Sequence, residues 1–199
     1  MSEINYLEKP DWLSWDAVAE CLHEAHQSNV KKNFVMPELA MSSEELQRRI
    51  GKGHCFVALE GEKVLGTSTV IYKKLGKLKW WAQGVVAYTG FDGIRPEYRG
   101  TDVYFNLQEL RMEHIRNSGV EVICFNTSEH NKLVQKINLK RGAKYVQFAR
   151  AKKSDYYSVV MARWLHGCPY PDWFCNFMFK LSKVIVKTLW KPGRHSQRS

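Results

Sequence analysis

The stretch from Ile94 to Leu107, which reads IRPEYRGTDVYFNL, decides the fold of this chain. It ends an apolar alternating run, Val85–Ile94, that predicts a strand, and a helical pattern begins near Thr101. The turn between them contains Arg99 and Gly100. The first N–H groups of a helix have no partner inside the helix, and the helix dipole is positive there. A basic turn that leads into a helix N-terminus therefore predicts a site for a phosphate-bearing ligand.

Upstream of this stretch, the sequence predicts two helices followed by antiparallel strands. The run Ser42-Ser43-Glu44-Glu45 is a helix start of the capping type, because Ser42 can accept a hydrogen bond from the first turn. The expected helices are Asp11–Gln27 and Ser42–Ile50, and the expected strands are His54–Leu59, Val64–Tyr72 and Val85–Ile94, with a further hairpin in Lys73–Gly84.

Downstream, strands and helices alternate. The continuously apolar run Val120–Phe125 predicts a buried parallel strand. The other expected elements are helices over Thr101–Asn117 and Ser128–Lys140, with Ser128 as N-cap, and strands over Lys144–Ala149 and Tyr156–Ala162. This order predicts a single α/β domain with a mixed, largely antiparallel central sheet and helices on both faces, followed by a C-terminal amphipathic helix.

The composition is that of a globular protein, with 44% hydrophobic and 25% charged residues in a chain of 199. We expect neither a signal peptide nor a spanning helix, because no apolar run has the required length. The five cysteines are odd in number and lack the spacing of a metal site, so they indicate reduced thiols and a cytoplasmic location.

The net charge of +10 is concentrated at the C-terminus, where residues 180–199 contain six basic and no acidic residues. The remainder is only mildly basic, which argues against nucleic acid as a partner. Apolar residues recur at helical spacing over 173–191, beside a stripe of lysines. Three interpretations stay open: this helix docks on the protein's own core or on a second copy in a homodimer, it makes peripheral contact with the inner face of a membrane, or it binds nucleic acid or another protein. We therefore divide the chain into a main α/β domain, 1–165, and a basic amphipathic C-terminal extension, 166–199.

Two patterns resemble those of the GCN5-related N-acetyltransferases (GNAT). Pro96-Glu97-Tyr98-Arg99-Gly100 lies at a strand–helix turn where that family carries Gln/Arg-x-x-Gly-x-Gly/Ala. Asn126, followed by Asn131–Gly142, is similar to the family's later asparagine, helix and terminal glycine. The resemblance covers roughly Cys55–Ala149 and implies the family's fold, with acetyl-CoA or another acyl-CoA as co-substrate and no metal.

The resemblance also implies which residues bind the cofactor. The expected cofactor-binding residues are Ile94, Arg99, Gly100, Thr101, Asp102, Val103, Tyr104, Asn126 and Asn131. Asp102 and Tyr104 depart from the family, because they fill its two later glycine positions. Glycine there allows the backbone to approach a phosphate closely, whereas Asp102 brings a negative charge. Alternatively, Asp102 caps the helix and the turn binds no phosphate.

Three residues are candidates for the chemistry. Strict alternation along Val85–Ile94 places Tyr88 and Asp92 on one face with Gly90 and Ile94, where either could relay a proton through water. The alternatives are that Tyr88 is a half-buried strand aromatic and that Asp92 is a bulge or turn residue.

Asn138 falls where the family carries a tyrosine general acid. Its amide can hydrogen-bond a thiolate but cannot serve as an acid. The expected function is transfer of an acyl group from CoA to an amine of a small molecule or peptide. Two alternatives remain: a catalytically degenerate binding module and a membrane-associated long-chain acyltransferase.

The remaining signals are weaker. We expect the acceptor to lie near Asn29–Met41, and Trp80-Trp81 either lines its pocket or packs in a hairpin. His54 and His114 are interpreted as structural or exposed residues without a chemical role.

Overall fold

The computed structural model describes residues 3–30 (28–30 by their backbone only), 39, 41–75, 79–82, 84–150 and 157–189. Within these ranges the chain forms seven strands and five α-helices. In chain order they are β1 (Ile4–Glu8), α1 (Trp15–Val30), α2 (Ser43–Ile50), β2 (His54–Glu60), β3 (Lys63–Lys74), β4 (Val85–Ile94), α3 (Val103–Asn117), β5 (Val122–Ser128), α4 (Lys132–Lys140), β6 (Lys144–Arg150), β7 (Tyr157–Trp164) and α5 (Asp172–Leu189). By their internal contacts the residues group into two compact units, 1–125 and 126–199.

In the first unit the strands follow the order β1-β2-β3-β4-β5. The first four pair antiparallel, and β5 runs parallel to β4, as its apolar sequence predicted. The sequence analysis missed β1, whose five residues are too few to show a clear alternation. It pairs with Phe56–Glu60 and covers the edge of β2.

Helices cover both faces of these strands. Apolar residues of α1 and α2 pack on one face, in a cluster that includes Val18, Leu22 and Leu46. On the other face α3 buries Leu107 and Ile115. The Ser42 hydroxyl accepts from the Glu45 N–H at 3.2 Å, which confirms the predicted cap of α2.

Two upstream predictions are corrected. Helix α1 begins at Trp15 rather than Asp11, because the Ser14 hydroxyl accepts from the Ala17 N–H at 3.2 Å and opens the helix there. The stretch Lys73–Gly84 does not give a hairpin of its own in its described part. Its first two residues extend β3, and residues 76–78 and 83 lie outside the described ranges.

In the second unit β6 and β7 pair antiparallel, and α5 lies against β6. The Phe148 N–H donates to the Ser182 hydroxyl at 2.8 Å, and the ring of Phe179 stacks on Tyr145 with centroids 4.9 Å apart. One face of α5 is therefore docked. The opposite face carries the exposed side chains of Trp173, Phe177, Leu181 and Val184, and Ile185 at its flank and Leu189 at the C-terminal end of α5 are also exposed.

The predicted start of α4 was wrong. Ser128 is the last residue of β5, and Asn131 is the N-cap, accepting from the Val134 N–H at 3.3 Å. The elements confirm the predicted fold class, a mixed and mostly antiparallel α/β fold with a C-terminal amphipathic helix. The proposed boundary between 1–165 and 166–199 remains a prediction.

The cysteines of the chain are free thiols. Burial raises the pKa of Cys21, Cys55 and Cys124 to about 12 in each case, so these thiols stay protonated at neutral pH. None of the described helices has the length and apolarity needed to cross a bilayer.

Candidate functional site

The described pairing of β4 with its parallel neighbour β5 covers only part of β4. The described register pairs Ala87–Thr89 with Ile123–Phe125 and no later residue of β4 with β5. Strand β4 nevertheless continues to Ile94. We refer to residues 90–94 as the open β4 edge.

A β-bulge lies within the open β4 edge. Thr67 and Thr69 of β3 are two positions apart, but their partners Gly93 and Gly90 are three apart, so β4 carries one extra residue. Phe91 adopts a φ of +47°, which is uncommon for a residue with a side chain. A bulge of this kind bends a strand and redirects the side chains after it.

The bulge corrects the predicted shared face of β4. Residues directly opposite in antiparallel strands point to the same face. Thr89 lies opposite Val70, on the α3 face with Ser68, and its neighbours Tyr88 and Gly90 therefore point towards the α1 face. After the bulge, the Asp92 carboxylate contacts α3. Tyr88 and Asp92 thus lie on opposite faces of β4 and do not form one catalytic pair.

The turn after β4 is braced by α1. The buried Arg95 guanidinium donates from Nε to the Val64 carbonyl at 2.6 Å and from Nη1 to the Glu24 carboxylate. Nη2 of Arg99 donates to the Ala25 carbonyl of α1. The predicted phosphate ligand Arg99 therefore also positions the turn.

The outer side of the turn is fixed by a second set of polar contacts. The Tyr98 hydroxyl donates to Glu60 at 3.0 Å, which is the main reason that the pKa of Tyr98 is raised. The Glu97 carboxylate accepts from Lys63 Nζ at 3.2 Å. Backbone hydrogen bonding to Glu97, followed by the bond from Lys63, lowers the pKa of that carboxyl.

Helix α3 begins directly after this turn. Gly100 has a φ of +81°, which glycine adopts without steric cost. The Thr101 hydroxyl donates to the Tyr98 carbonyl at 2.6 Å and accepts from the Val103 N–H at 3.4 Å. Asp102 occupies the N-cap position, but its side chain makes no capping hydrogen bond. The alternative in which the Asp102 carboxylate caps the helix is therefore wrong.

A buried polar network lies under the bulge. Arg111, 1% exposed, donates from Nη1 to both Asp92 oxygens at 2.7 and 3.0 Å. Gln108 Nε2 donates to Asp92 at 3.3 Å and to the Ser68 hydroxyl at 3.2 Å. Asp92 thus neutralises a buried cation and holds the bulge onto α3, which fits a positioning residue.

Ser68, Gln108 and Arg111 were not among the predicted site residues. Arg111 lies between apolar residues of α3, and nothing in the pattern distinguishes it from a solvent-exposed arginine. A buried arginine at this position could be inferred from the sequence only if its partner, Asp92, were already known.

Tyr88 is half-buried on the α1 face. Lys73 Nζ lies 4.8 Å from the centroid of its ring, a cation–π distance. A phenol beside a cation is suitable for hydrogen bonding or proton transfer at this face.

The remaining predicted residues belong to the second unit. Asn126 is exposed on β5, and Asn131 uses its side-chain oxygen to cap α4. Asn138 is 7% exposed. Neighbouring Gln135 donates to the Ser128 and Glu129 carbonyls at 2.9 and 3.0 Å, which anchors α4 to the end of β5.

Comparison with solved structures identifies the fold. The chain is similar to a GNAT-family acetyltransferase from Streptococcus pneumoniae (TM-score 0.57, 15% identity, 81% of this chain and 99% of that chain). It is also similar to the ribosomal-protein-S18-alanine N-acetyltransferase of Escherichia coli (TM-score 0.58, 16% identity, 83% and 94%). A third similar chain belongs to the NatC complex bound to Gag peptide and CoA (TM-score 0.62, 11% identity, 82% and 99%).

These similarities confirm that the chain has the GNAT acetyltransferase fold. No protein-family model matches the sequence, and no curated protein matches it.

Proposed function

We propose, from the acetyltransferase fold of this chain, that it transfers an acetyl or other acyl group from CoA to an amine. The observation that carries the proposal is the open β4 edge, which follows the last described pair of β4 with β5 at Thr89, contains the bulge and leads through a braced turn to α3. This arrangement offers a strand edge and a helix N-terminus in succession.

The open β4 edge suits the pantetheine arm of CoA, and the N-terminus of α3 suits its pyrophosphate. The pantetheine arm is an extended chain with amides, which can hydrogen-bond to a free strand edge. Its pyrophosphate requires donors and positive potential, which the start of α3 provides. We assign Ile94, Arg99, Gly100, Thr101, Val103 and Tyr104 to this site, together with Asp102 at its margin; Asn126 and Asn131 remain candidates from the second unit.

The reaction would be direct attack of a neutral amine on the thioester carbonyl. The new C–N bond forms, the C–S bond breaks, CoA leaves as thiolate, and the amine proton passes to solvent or to a relay. Tyr88 is the candidate relay. Asp92 is better assigned to positioning, because both its oxygens accept from Arg111. Asn138 can hydrogen-bond the thiolate but cannot protonate it.

The acceptor is an amine of a small molecule or peptide. Two similar structures favour testing peptides first, since one is a ribosomal-protein N-acetyltransferase and the other was solved with a Gag peptide. The predicted acceptor region Asn29–Met41 lies mostly outside the described residues, and Trp80-Trp81 stays a candidate lining.

A second candidate is a binding module without turnover. It is favoured by Asp102, whose charge is not used in capping and lies where phosphate would approach. It predicts CoA binding without release of free thiol.

A third candidate, a membrane-associated transferase of longer acyl chains, is favoured by α5. Its exposed apolar face includes Trp173, Phe177 and Val184, and lysines such as Lys180 and Lys183 are also exposed. This combination suits the headgroup region of an anionic membrane. The protein should then bind anionic vesicles in a salt-dependent manner.

Calorimetry with CoA and acetyl-CoA tests the cofactor site. Arg99→Ala should weaken binding by at most a few kcal/mol, the scale of a charged hydrogen bond. Arg48→Ala, an exposed position on α2, is the matched control and should bind as the unchanged protein does. Absence of binding at millimolar ligand would exclude the site.

Thiol release from acetyl-CoA, measured with amine and peptide panels, tests turnover. Acceptor-dependent release supports the transferase. Binding with no release across the panels would instead support the binding module.

A further inference from the structure

A second cluster of polar side chains lies away from the open β4 edge. Glu8 ends β1, His54 begins β2, and His114 lies near the C-terminal end of α3, at the opposite end of that helix from the cofactor turn. One potential ligand atom from each lies within 4.8 Å of the other two. Neither histidine was predicted to have a chemical role, since His54 begins a strand and His114 lies within a helix.

The geometry within the cluster is that of closely approaching metal-binding groups. His54 Nδ1 lies 2.7 Å from Glu8 Oε1. The two imidazole centroids are 4.0 Å apart and tilted by 49°. Burial, and then the neighbouring His54, lowers the pKa of the His114 imidazole, while Glu8 opposes the shift.

Aromatic rings surround the two imidazoles. Tyr72 lies 6.0 Å from His54 and 6.1 Å from His114 between centroids, and Phe56 lies 5.4 Å from His114. The Tyr72 hydroxyl is buried and has no hydrogen-bond partner among the described residues. Tyr72 also lines a cavity with Val85, Ser118 and Glu121, none of which belongs to the cluster. The aromatic rings therefore give the two imidazoles a partly apolar surrounding.

We propose that Glu8, His54 and His114 bind a divalent transition-metal ion of the zinc class. Two imidazoles and one carboxylate suit zinc, cobalt or nickel, whereas magnesium and calcium prefer oxygen ligands. Ligand atoms around a tetrahedral zinc are roughly 3.3 Å apart, given bond lengths of about 2.0–2.1 Å. The 2.7 Å contact between His54 Nδ1 and Glu8 Oε1 would have to lengthen to this value, and separations of up to 4.8 Å would have to shorten, which both require side-chain rotation.

The role of the ion is structural. It would join the edge strand β1 to β2 and α3, three elements that are distant in the sequence. The Glu8 side chain is 53% exposed and that of His54 is 30% exposed, so the ion can enter from solvent. An ion bound only by the folded protein raises its stability by mass action.

The test uses the full-length protein after removal of metals with a chelator. We expect one equivalent of Zn²⁺ to bind in calorimetry and to raise the melting temperature. Glu8→Gln, His54→Gln and His114→Gln should each weaken binding by about tenfold or more. His166→Gln, at an exposed position outside the cluster, is the matched control and should bind as the unchanged protein does.

X-ray absorption of the zinc-loaded unchanged protein gives a measurement that does not depend on variants folding. Nitrogen and oxygen ligation supports the proposal. Sulfur ligation would overturn it and point to Cys168 and Cys175, whose sulfurs lie 3.9 Å apart. No binding at millimolar Zn²⁺, or equal binding by folded cluster variants, would also overturn it.

Discussion

The Asp92 carboxylate accepts from Arg111 Nη1 through both oxygens, at 2.7 and 3.0 Å, and so ties the bulge of β4 to the middle of α3. The Arg111 side chain is 1% exposed and that of Asp92 30%. Removing one partner of such a pair leaves a buried charge without compensation, which is more costly than losing an exposed ion pair.

Asp92→Asn should therefore destabilise the protein by about 3 kcal/mol, the lower end for a broken buried pair, since Asp92 is partly exposed. Urea unfolding measures this. Arg116→Met on the same helix is the control, because its contact with Glu109 is 3.9 Å long and exposed, and it should cost less than about 1 kcal/mol. Unchanged stability with a large loss of turnover would indicate that Asp92 relays protons instead.

Gly100→Ala tests the conformation of the turn before α3. A Cβ at this position meets no atom, but the φ of +81° is unfavourable for alanine by about 1–2 kcal/mol. Gly90→Ala is the matched control, because its Cβ also meets nothing and its φ is not in that region. Thermal unfolding should show a lower melting temperature for Gly100→Ala and an unchanged one for Gly90→Ala. An equal decrease in both variants would refute the explanation based on φ.

Asp102→Asn should leave the stability of the protein unchanged, since the carboxylate makes no capping bond. It should tighten CoA binding, because a negative charge is removed from the place where the pyrophosphate is expected. Calorimetry at low and high salt measures this, and the difference should shrink at high salt. A loss of stability with unchanged affinity would mean that the phosphates bind elsewhere.

Substitution of two phenylalanines of α5 should change the unfolding free energy by very different amounts. Phe179 stacks on Tyr145 and also contacts Phe148, so Phe179→Ala should cost about 3 kcal/mol. Phe177 is 56% exposed on the opposite face, and Phe177→Ala should change the unfolding free energy by about 0.5 kcal/mol at most. If the exposed face of α5 contacts a membrane, Phe177→Ala should also reduce binding of the protein to anionic vesicles.

The stability of the metal-free protein should fall as the pH is lowered from about 6.5. The folded-state pKa of His114 lies below its unfolded value, so the unfolded chain binds more protons in this range. The groups that face His114 are His54, Glu8, Tyr72 and Phe56. His114→Gln should reduce the pH slope in urea unfolding with chelator present, whereas His166→Gln should not. An identical slope in all three proteins would contradict this assignment.

The sequence predicted those parts of the fold whose pattern is local. The alternation of Val85–Ile94 defined β4, and the run Val120–Phe125 indicated its parallel neighbour, because burial on both faces leaves a continuous apolar sequence. The start of α4 was missed because Ser128 and Asn131 are both good caps, and only the length of β5 decides between them.

The candidate site was predicted only in outline. The turn and the helix start were correct, since proline, glycine and the change of period mark them. The bulge was predicted only as one alternative for Asp92, because glycines in a strand permit a bulge without fixing where it lies, and the sequence does not predict the positive φ of Phe91. The Arg111 and His114 contacts depend on pairing between distant segments, which no spacing reveals.

The extra residue in β4 changes the path of the strand without changing the faces of the side chains that follow it. Without Phe91, Gly90 and Gly93 could keep Thr69 and Thr67 as partners, and Asp92 would be the single residue opposite Ser68, on the α3 face as before. The strand would lose the bend that a bulge introduces, and the core cluster that includes Val18 and Leu22 would lose the packed Phe91 side chain. In a sequence related to this one, a one-residue gap at this position would therefore indicate a straighter strand with the same sheet register.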